Sequence, residues 1–338
     1  MQRALDLARR TDGRTYPNPY VGAVVVRNGR IIGEGWHHRA GEPHAERMAL
    51  DPLPDEAVEG ATLYVTLEPC NHHGKTPACA PYLVRRGLRR IVIATPDPHA
   101  IVHGKGIAHL QQNGLDVAVG LLQKEAQSLN RRFFTFHQQK RPYVVLKWAQ
   151  TLDAVIGRPD KRLHISNKTV RYLVHRWRSR EHAIMITDHT AIVDQARLTV
   201  RHWQGFQPIR IILRTQPRRP LPPALAKESP SVIHIPLPET QTAPAGVREN
   251  GHPKQTTIRH ILRTLYERRI LSVMVEGGAS FLQSWIDADM WDEIRLITAP
   301  AAAGQGIRAP RFEGRPHHQF TLDGDLISIF KHPKNRFL

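Results

Sequence analysis

Cys70 and Cys79 are the only cysteines in the 338 residues, and eight residues separate them in the loop-like stretch TLEPCNHHGKTPAC. Upstream, EPHAERMAL carries His44 and Glu46, two apart and just after Pro43, where a helix is expected to start. These residue types suit one kind of chemistry. Zinc takes nitrogen and sulfur ligands in a tetrahedron. One imidazole and two thiolates fill three corners, and the fourth stays open to a water whose pKa falls toward about 7. Glu46 is not needed as a ligand, so it can take a proton from that water and pass it to a leaving nitrogen. Helix starts also carry partial positive charge, which favours thiolate and hydroxide. The alternative is a closed structural site with His72 or His73 as fourth ligand, which leaves Glu46 without a role. A disulfide is disfavoured, because MQRALDLARR lacks the features of a secretory signal and the cytosol keeps thiols reduced.

The elements that must hold these residues alternate between helix and strand. MQRALDLARR reads as an amphipathic helix, VGAVVVRNGRIIGEG as a hairpin turning at Asn28-Gly29, and HAERMAL as a helix. ATLYVTLEP, RRIVIAT and DVAVGLL read as strands, with CAPYLVRRGL and IAHLQQNG as helices between them. One short helix is predicted over QKEAQSLNRRFFTFHQQ, and Arg141-Pro142 breaks the pattern after it. The second half alternates again, with strands at YVVLKWA, AIMIT, PIRIILR, SVIHIPL, LSVMVE and EIRLITAP. Its helices are KTVRYLVHRWRSR, TTIRHILRTLYERR and SFLQSWIDA, and FTLDGDLISIF closes it as a hairpin. Proline-rich stretches over 216–230 and 238–255 read as surface loops. Two α/β domains follow, 1–140 and 141–338, each expected to have a mostly parallel sheet. Net charge is +18; the first 140 residues hold 18 basic and 13 acidic residues and the remaining 198 hold 30 and 17. The surplus therefore sits mostly in the second half and suits phosphorylated or polyanionic partners. No apolar run is long enough to span a membrane, so a cytoplasmic protein is expected.

The order H-x-E, P-C, C is the zinc-deaminase signature, with the usual C-x-x-C stretched. At this point the chain resembles a family. TYPNPYVGAVVV, GEPHAE, TLEPCNHHGKTPAC and NGLDVAVGLL look like the deaminase half of the bifunctional riboflavin-biosynthesis enzymes. RPYVVLKWAQTLD, LTVR, QPIRIIL, VEGGASF and WDEIRLITAP are similar to their reductase half. The resemblance implies a cytidine-deaminase-like zinc domain followed by a dihydrofolate-reductase-like α/β domain. It implies zinc on His44, Cys70 and Cys79, with Glu46 as proton shuttle. Asn18, His37 and Lys75 would contact the first substrate, a phosphorylated diaminopyrimidinone. In the second half Lys147, Arg178, Leu198, Arg201 and Glu276 would contact substrate. Ala149, His164, Thr190, Asp194 and Gly278 would line NADPH. Bottom-up, Gly277-Gly278 after an apolar strand and before a helix suits a phosphate, and arginine forks suit phosphate oxygens. The implied partner is a phosphorylated pyrimidine, not nucleic acid or a membrane; a homo-oligomer is compatible with this.

The chain also departs from the family pattern. His99 stands for a usual Asn, Ala154 for Gly, His164 for an aromatic, Thr187 for Gly, and Gln195-Ala196 for a pair ending in Pro. Losing that Pro is expected to free the backbone beside Asp194, and Ala154 to resist a positive φ. Two other readings remain at this level: a nucleic-acid-editing deaminase with a basic accessory domain, and a zinc-stabilised regulator whose reductase half is inactive. Against the first, the basic half carries no interleaved aromatic platform for bases in its sequence pattern.

Overall fold

In the computed structural model, which describes residues 1–72, 77–158, 163–216, 218–237 and 255–334, alternating apolar positions set the layers. The chain divides into two units, one spanning residues 1–140 and the other beginning at Arg141. The first runs α1 (Gln2–Arg9), β1 (Gly22–Arg27), β2 (Arg30–Trp36), α2 (Ala45–Leu50), α3 (Asp55–Val58), β3 (Thr62–Val65), α4 (Cys79–Arg85), β4 (Arg90–Ile93), α5 (Lys105–Gln112), β5 (Asp116–Val119), α6 (Gln123–Leu129) and α7 (Arg131–Gln139). Its strands form one sheet in the order β2-β1-β3-β4-β5.

This sheet is mixed rather than mostly parallel, which corrects the sequence expectation. β1 is antiparallel to β2 and β3, while β3, β4 and β5 run parallel. The cause is local. Asn28 and Gly29 both take positive φ, the turn that folds a strand straight back on itself. Successive side chains on a strand point to opposite faces. Val25, Leu63, Val65, Ile91 and Ile93 accordingly pack with residues of α2, α4 and α5, while Val24 meets α1 and Ala94 meets α1 and α6. The single helix predicted over 123–139 is two helices. Asn130 breaks it at φ −98, ψ 20, and its amide instead bonds both the N–H and the C=O of Tyr20 at 2.8 Å.

Helix α2 lies directly on the β2 backbone. A Cβ on Gly33 would run into the Ala49 carbonyl, and one on Gly35 would come within 2.5 Å of both Ala45 O and Ala49 N. Only glycine permits that approach.

The second unit runs β6 (Tyr143–Thr151), β7 (Val155–Gly157), α8 (Lys168–Ser179), β8 (Ala183–Thr187), α9 (Asp188–Val193), β9 (Ile209–Arg214), α10 (Pro223–Ala226), β10 (Val232–Pro236), α11 (Gln255–Glu267), β11 (Ser272–Val275), α12 (Ala279–Asp287), β12 (Glu293–Ala299), β13 (Ile307–Arg308), β14 (His318–Leu322) and β15 (Asp325–Lys331). Eight strands form the order β10-β9-β8-β11-β6-β12-β15-β14. The run from β10 to β12 is parallel, and β15 and β14 close it antiparallel. Ile258, Ile261, Leu262 and Leu265 repeat at helical spacing on α11 and pack with α12 against one face. Val170, Val174 and Trp177 of α8 and Ala191 of α9 cover the other. The loop predicted over 216–230 contains the short α10, and residues 238–254 lie outside the described residues.

Strand β11 returns from α11 to insert between β8 and β6. The carboxyl ends of β6, β8 and β11 therefore meet where the winding reverses, the place where open α/β sheets leave a crevice for ligands.

Candidate active site

In the first unit, three segments converge. His44 is the N-cap of α2, in extended backbone. Cys79 is the first residue of α4. Cys70 follows β3 through Thr66–Pro69. The Nδ1 of His44 lies 3.6 Å from the Cys70 sulfur and 3.4 Å from the Cys79 sulfur, and the three ligand atoms all fall within 4.8 Å of one another. Zinc–sulfur and zinc–nitrogen bonds of about 2.0–2.3 Å in a tetrahedron place ligand atoms roughly 3.3–3.8 Å apart, so this donor set fits that ion. Among the described residues no fourth histidine, cysteine or carboxylate joins the group. His73 and Lys75 lie outside the described residues.

The electrostatics follow from crowding two thiols beside one imidazole. Hydrogen bonds from Cys79 and His44 hold the Cys70 thiol at about 4. The bond to Cys70 and then burial push the Cys79 thiol well above its ordinary value. The bond to Cys70 raises His44. Glu46, 3% exposed in the first turn of α2, is hydrogen-bonded with Cys79, and burial raises its carboxyl. A carboxyl raised by burial beside the His44, Cys70 and Cys79 group suits a proton carrier.

Asn18 and His37 are brought together next to this group. The His37 Nδ1 sits 3.1 Å from the Pro43 carbonyl and so carries the ring proton; its Nε2 then accepts from the Asn18 amide at 3.0 Å. Burial lowers His37, and its ring meets His44 edge-on at 5.3 Å. His99 packs edge-on against His137 at 4.5 Å, and its N–H bonds the Asp97 carboxylate at 2.7 Å.

Glu68 is a positioning group that motif reading leaves unexplained. It is 4% exposed, and its carboxylate accepts four backbone N–H groups: Asp97 at 3.1 Å, Gly104 at 3.0 Å, Gly106 at 2.9 Å and Ile107 at 3.2 Å. It thereby ties the Pro69-Cys70 turn to the start of α5. Gly106 lies so close to the Pro69 carbonyl that a Cβ would collide with it. A second tie joins the two ligand-bearing helices. Tyr82 of α4 donates to Asp51 at 2.5 Å and lies under the Arg47 guanidinium of α2 at 4.2 Å. In the sequence both ties show only as single polar residues, Glu68 inside TLEPC and Arg47, Asp51 and Tyr82 around the candidate ligands.

In the second unit, Arg178 near the end of α8 grips Glu276 with two bonds of 3.2 and 2.7 Å. Burial alone would raise Glu276, but Arg178 and Lys147 outweigh it and hold the carboxyl at about 2. Burial lowers the Lys147 ammonium, with Glu276 opposing. Lys147 comes from β6 and Glu276 follows β11, so this charged group stands at the crevice described above. Thr190 on α9 faces Gly277, whose added Cβ would sit 3.5 Å from the Thr190 hydroxyl. Gly278, the N-cap of α12, has open space where a side chain would be. Ala149 lies on β6, Leu198 is buried and Arg201 exposed in the segment before β9. His164 is exposed ahead of α8 and Asp194 caps the end of α9; neither figures among the charges that shift Lys147 or Glu276.

Two expectations about the departures need correction. Ala154 does take a positive φ, +58, held by bonds from its N–H to Thr151 and from Ala309 to its carbonyl. The backbone beside Asp194 is not freed. Gln195 takes φ +46, and the N–H groups of Gln195 and Ala196 bond the carbonyls of Ile192 and Ala191. This is a Schellman closure of α9, and Ala196 supplies an N–H that proline lacks. Thr187 in turn caps the start of α9 by accepting from Thr190.

Comparison with known proteins agrees with this layout. Residues 142–329 match the family model of the RibD C-terminal domain, and residues 1–95 match that of the cytidine and deoxycytidylate deaminase zinc-binding region. The chain is 41% identical over 315 residues to the riboflavin biosynthesis protein RibD of Aquifex aeolicus, covering 91% of this chain and 88% of that one. To RibD of Escherichia coli it is 35% identical over 327 residues, with 91% and 89% covered. Among solved structures, Acinetobacter baumannii RibD superposes with a TM-score of 0.84 at 31% identity, covering 98% of this chain and 97% of that one. A diaminohydroxyphosphoribosylaminopyrimidine deaminase/5-amino-6-(5-phosphoribosylamino)uracil reductase from Thermotoga maritima gives 0.82 at 32% identity with the same coverage.

Proposed function

Since this chain belongs to the RibD family of bifunctional deaminases and reductases in riboflavin biosynthesis, we propose that its first unit removes an amino group from 2,5-diamino-6-(5-phosphoribosylamino)pyrimidin-4-one. Its second unit then reduces the ribosyl chain of the product to ribityl with NADPH. The observation that carries the reading is the convergence of His44, Cys70 and Cys79 with a buried Glu46 against them.

His44, Cys70 and Cys79 would hold zinc, which when bound supplies Lewis acidity toward a water. Glu46 is the proton carrier: its raised carboxyl accepts a proton on one side of the reaction and delivers it to the leaving nitrogen. Asn18, fixed through His37, presents its amide to the pyrimidine edge; His37 accepts that amide at Nε2 as a neutral ring, and burial lowers its pKa. Lys75 would meet the phosphate.

In the second unit, NADPH when bound supplies the hydride. Thr190, Asp194, Ala149 and His164 would line it, with Gly278 giving its phosphates a backbone approach free of side chain. Arg178, Arg201, Leu198, Glu276 and Lys147 would hold the phosphorylated substrate. Glu276 is fixed by Arg178 and so can accept bonds from substrate hydroxyls as a permanent anion. Two of the departures are accommodated by the backbone, Ala154 at a positive φ and Ala196 through its N–H to Ala191, which supports an active second unit. Among the described residues no helix is long and apolar enough to cross a membrane. A cytoplasmic setting, where thiols stay reduced, suits the cysteine ligands.

The test is one incubation of the purified protein with the diaminopyrimidinone substrate and NADPH. Ammonia release and nicotinamide absorbance are followed together. Matched ammonia and NADPH oxidation is the expected result. Ammonia alone overturns the second half of the proposal, and neither signal overturns both.

A further inference from the structure

His175 is a buried histidine that the reaction scheme above does not use. It lies on α8 one turn before Arg178 and is 3% exposed. Its Nδ1 accepts the backbone N–H of Arg201 at 3.0 Å. An imidazole that accepts at Nδ1 is neutral, with its proton on Nε2. Burial, followed by the charges of Arg178 and Arg201, pushes its pKa down to about 4, so the acceptor persists throughout the neutral range. The ring is held in turn. His202 meets it edge-on at 4.8 Å, and Tyr172 meets His202 edge-on at 5.8 Å.

What it holds is a short segment with little regular structure. Leu198 is buried with φ +57, an uncommon conformation for a leucine. The exposed Arg201 guanidinium bonds the Thr199 hydroxyl at 2.8 Å. A guanidinium recognises phosphate through paired donors in fixed directions, and outside a regular element the Cα it starts from is set by individual bonds: the Gln207 side chain holds the N–H and C=O of Val200 at 2.9 and 2.8 Å, and His175 holds Arg201 itself. The bond to His175 ties that Cα to the helix that also carries Arg178.

We propose that His175 is a positioning residue for the reductase reaction: it fixes the backbone of Arg201 so that its guanidinium meets the phosphate of the substrate, while Arg178 stays on Glu276. This rests on the reading of Arg201 as a phosphate-binding residue. If His175 were packing alone, only the size of the side chain would matter. If it positions Arg201, the location of the acceptor atom matters.

Two polar variants separate these cases. In His175→Asn the amide oxygen falls near the place of Nδ1; in His175→Gln it falls near the place of Nε2 and cannot reach Arg201. Reductase kinetics are measured with the phosphorylated ribosylamino pyrimidinedione and with its dephosphorylated form, alongside Arg201→Ala. H175Q is expected to raise KM for the phosphorylated substrate about tenfold, the equivalent of one lost hydrogen bond, with little change in kcat. H175N recovers most of that loss, and neither variant changes KM for the dephosphorylated form. A wild-type KM in H175Q, or an equal loss with both substrates, overturns the proposal. If R201A raises KM and H175Q does not, only the role of His175 falls; if R201A leaves KM unchanged, the phosphate reading falls and takes this inference with it. Should H175Q fail to fold, His175→Leu, which also lacks the acceptor, gives the same comparison against H175N.

Discussion

Replacing Glu68 by glutamine changes one atom's chemistry at a carboxylate that binds four backbone N–H groups. Two of these donors meet each oxygen. A glutamine offers one oxygen, so its NH2 must face the other pair. Two buried donors are then orphaned, at about 1–3 kcal/mol each, and the surviving pair loses its charge assistance. The expected loss is about 3–5 kcal/mol, the size seen when a buried charged network is broken. It falls on the first unit, because every partner of Glu68 lies there. The two activities supply the assay: urea midpoints for ammonia release and for NADPH oxidation are measured on the full chain at fixed free zinc. With a slope of about 2 kcal/mol per molar urea, the ammonia midpoint drops by about 2 M and the NADPH midpoint stays put. The Pro69-Cys70 turn loosens with it, so a chelator strips zinc from E68Q faster than from the wild type. An ammonia midpoint within about 0.5 M of wild type would refute the reasoning, since the four donors would then have equivalent partners elsewhere.

Other outcomes follow from the same structure. Glu46→Gln should keep one zinc per chain and cut ammonia release by about 10²–10⁴-fold; normal turnover would remove Glu46 as proton carrier. Cys79→Ser should lose zinc, and a full zinc complement measured after dialysis would refute its role as ligand. Ala154 sits at φ +58, where a side chain costs about 1–2 kcal/mol; Ala154→Gly should be neutral or slightly stabilising and Ala154→Val clearly destabilising, and equal melting temperatures would contradict the strain. Burial pushes His182 down to about 4, below its ordinary value of 6.5. The unfolded chain therefore binds more protons between those values, and stability is full above pH 6.5 and falls as pH drops toward 4. At pH 5 the loss is about 2 kcal/mol. His182→Asn keeps an acceptor for the Leu271 N–H, so it should flatten this part of the pH profile of the second unit's melting; an unchanged slope would show that His182 is not its source.

The grouping of His44, Cys70 and Cys79 was legible because its chemistry is local in sequence: His44 and Glu46 share one helix start, and Cys70 and Cys79 are the only thiols. The strands were legible for the same reason, since Val24 and Val25 already announce two faces by their alternation. What sequence could not reveal was remote partnership. Glu68 has no assigned role in TLEPC until the backbone N–H groups of Asp97, Gly104, Gly106 and Ile107 close on it. Asn130 looks like a helix residue until Tyr20 claims its amide. The mixed sheet escaped because the strand after the hairpin is set by pairing, which has no local signature. Ala154 and Ala196 were misjudged through residue preference alone. A small cost in φ at the first, and an N–H gained at the second, are decided by hydrogen bonds to Thr151 and Ala191 that only the folded backbone brings near.

The contact of α2 with bare β2 backbone at Gly33 and Gly35 bears on how this site can persist while sequence drifts. Cores usually absorb substitutions by letting helices slide over the sheet on the side chains between them. Where α2 crosses Gly33 and Gly35 that movable layer is missing: there the helix rests on main chain, whose dimensions no mutation alters, while its remaining contacts are side chains such as Val25 and Leu63. Exchanges among Val25, Leu63, Val65 and Ile93 can therefore reshape the neighbouring packing without changing the height at which His44 and Glu46 stand above the strand. Geometry at the reacting end is insulated from variation in the rest of the core, at the cost of two positions where even a methyl group is excluded.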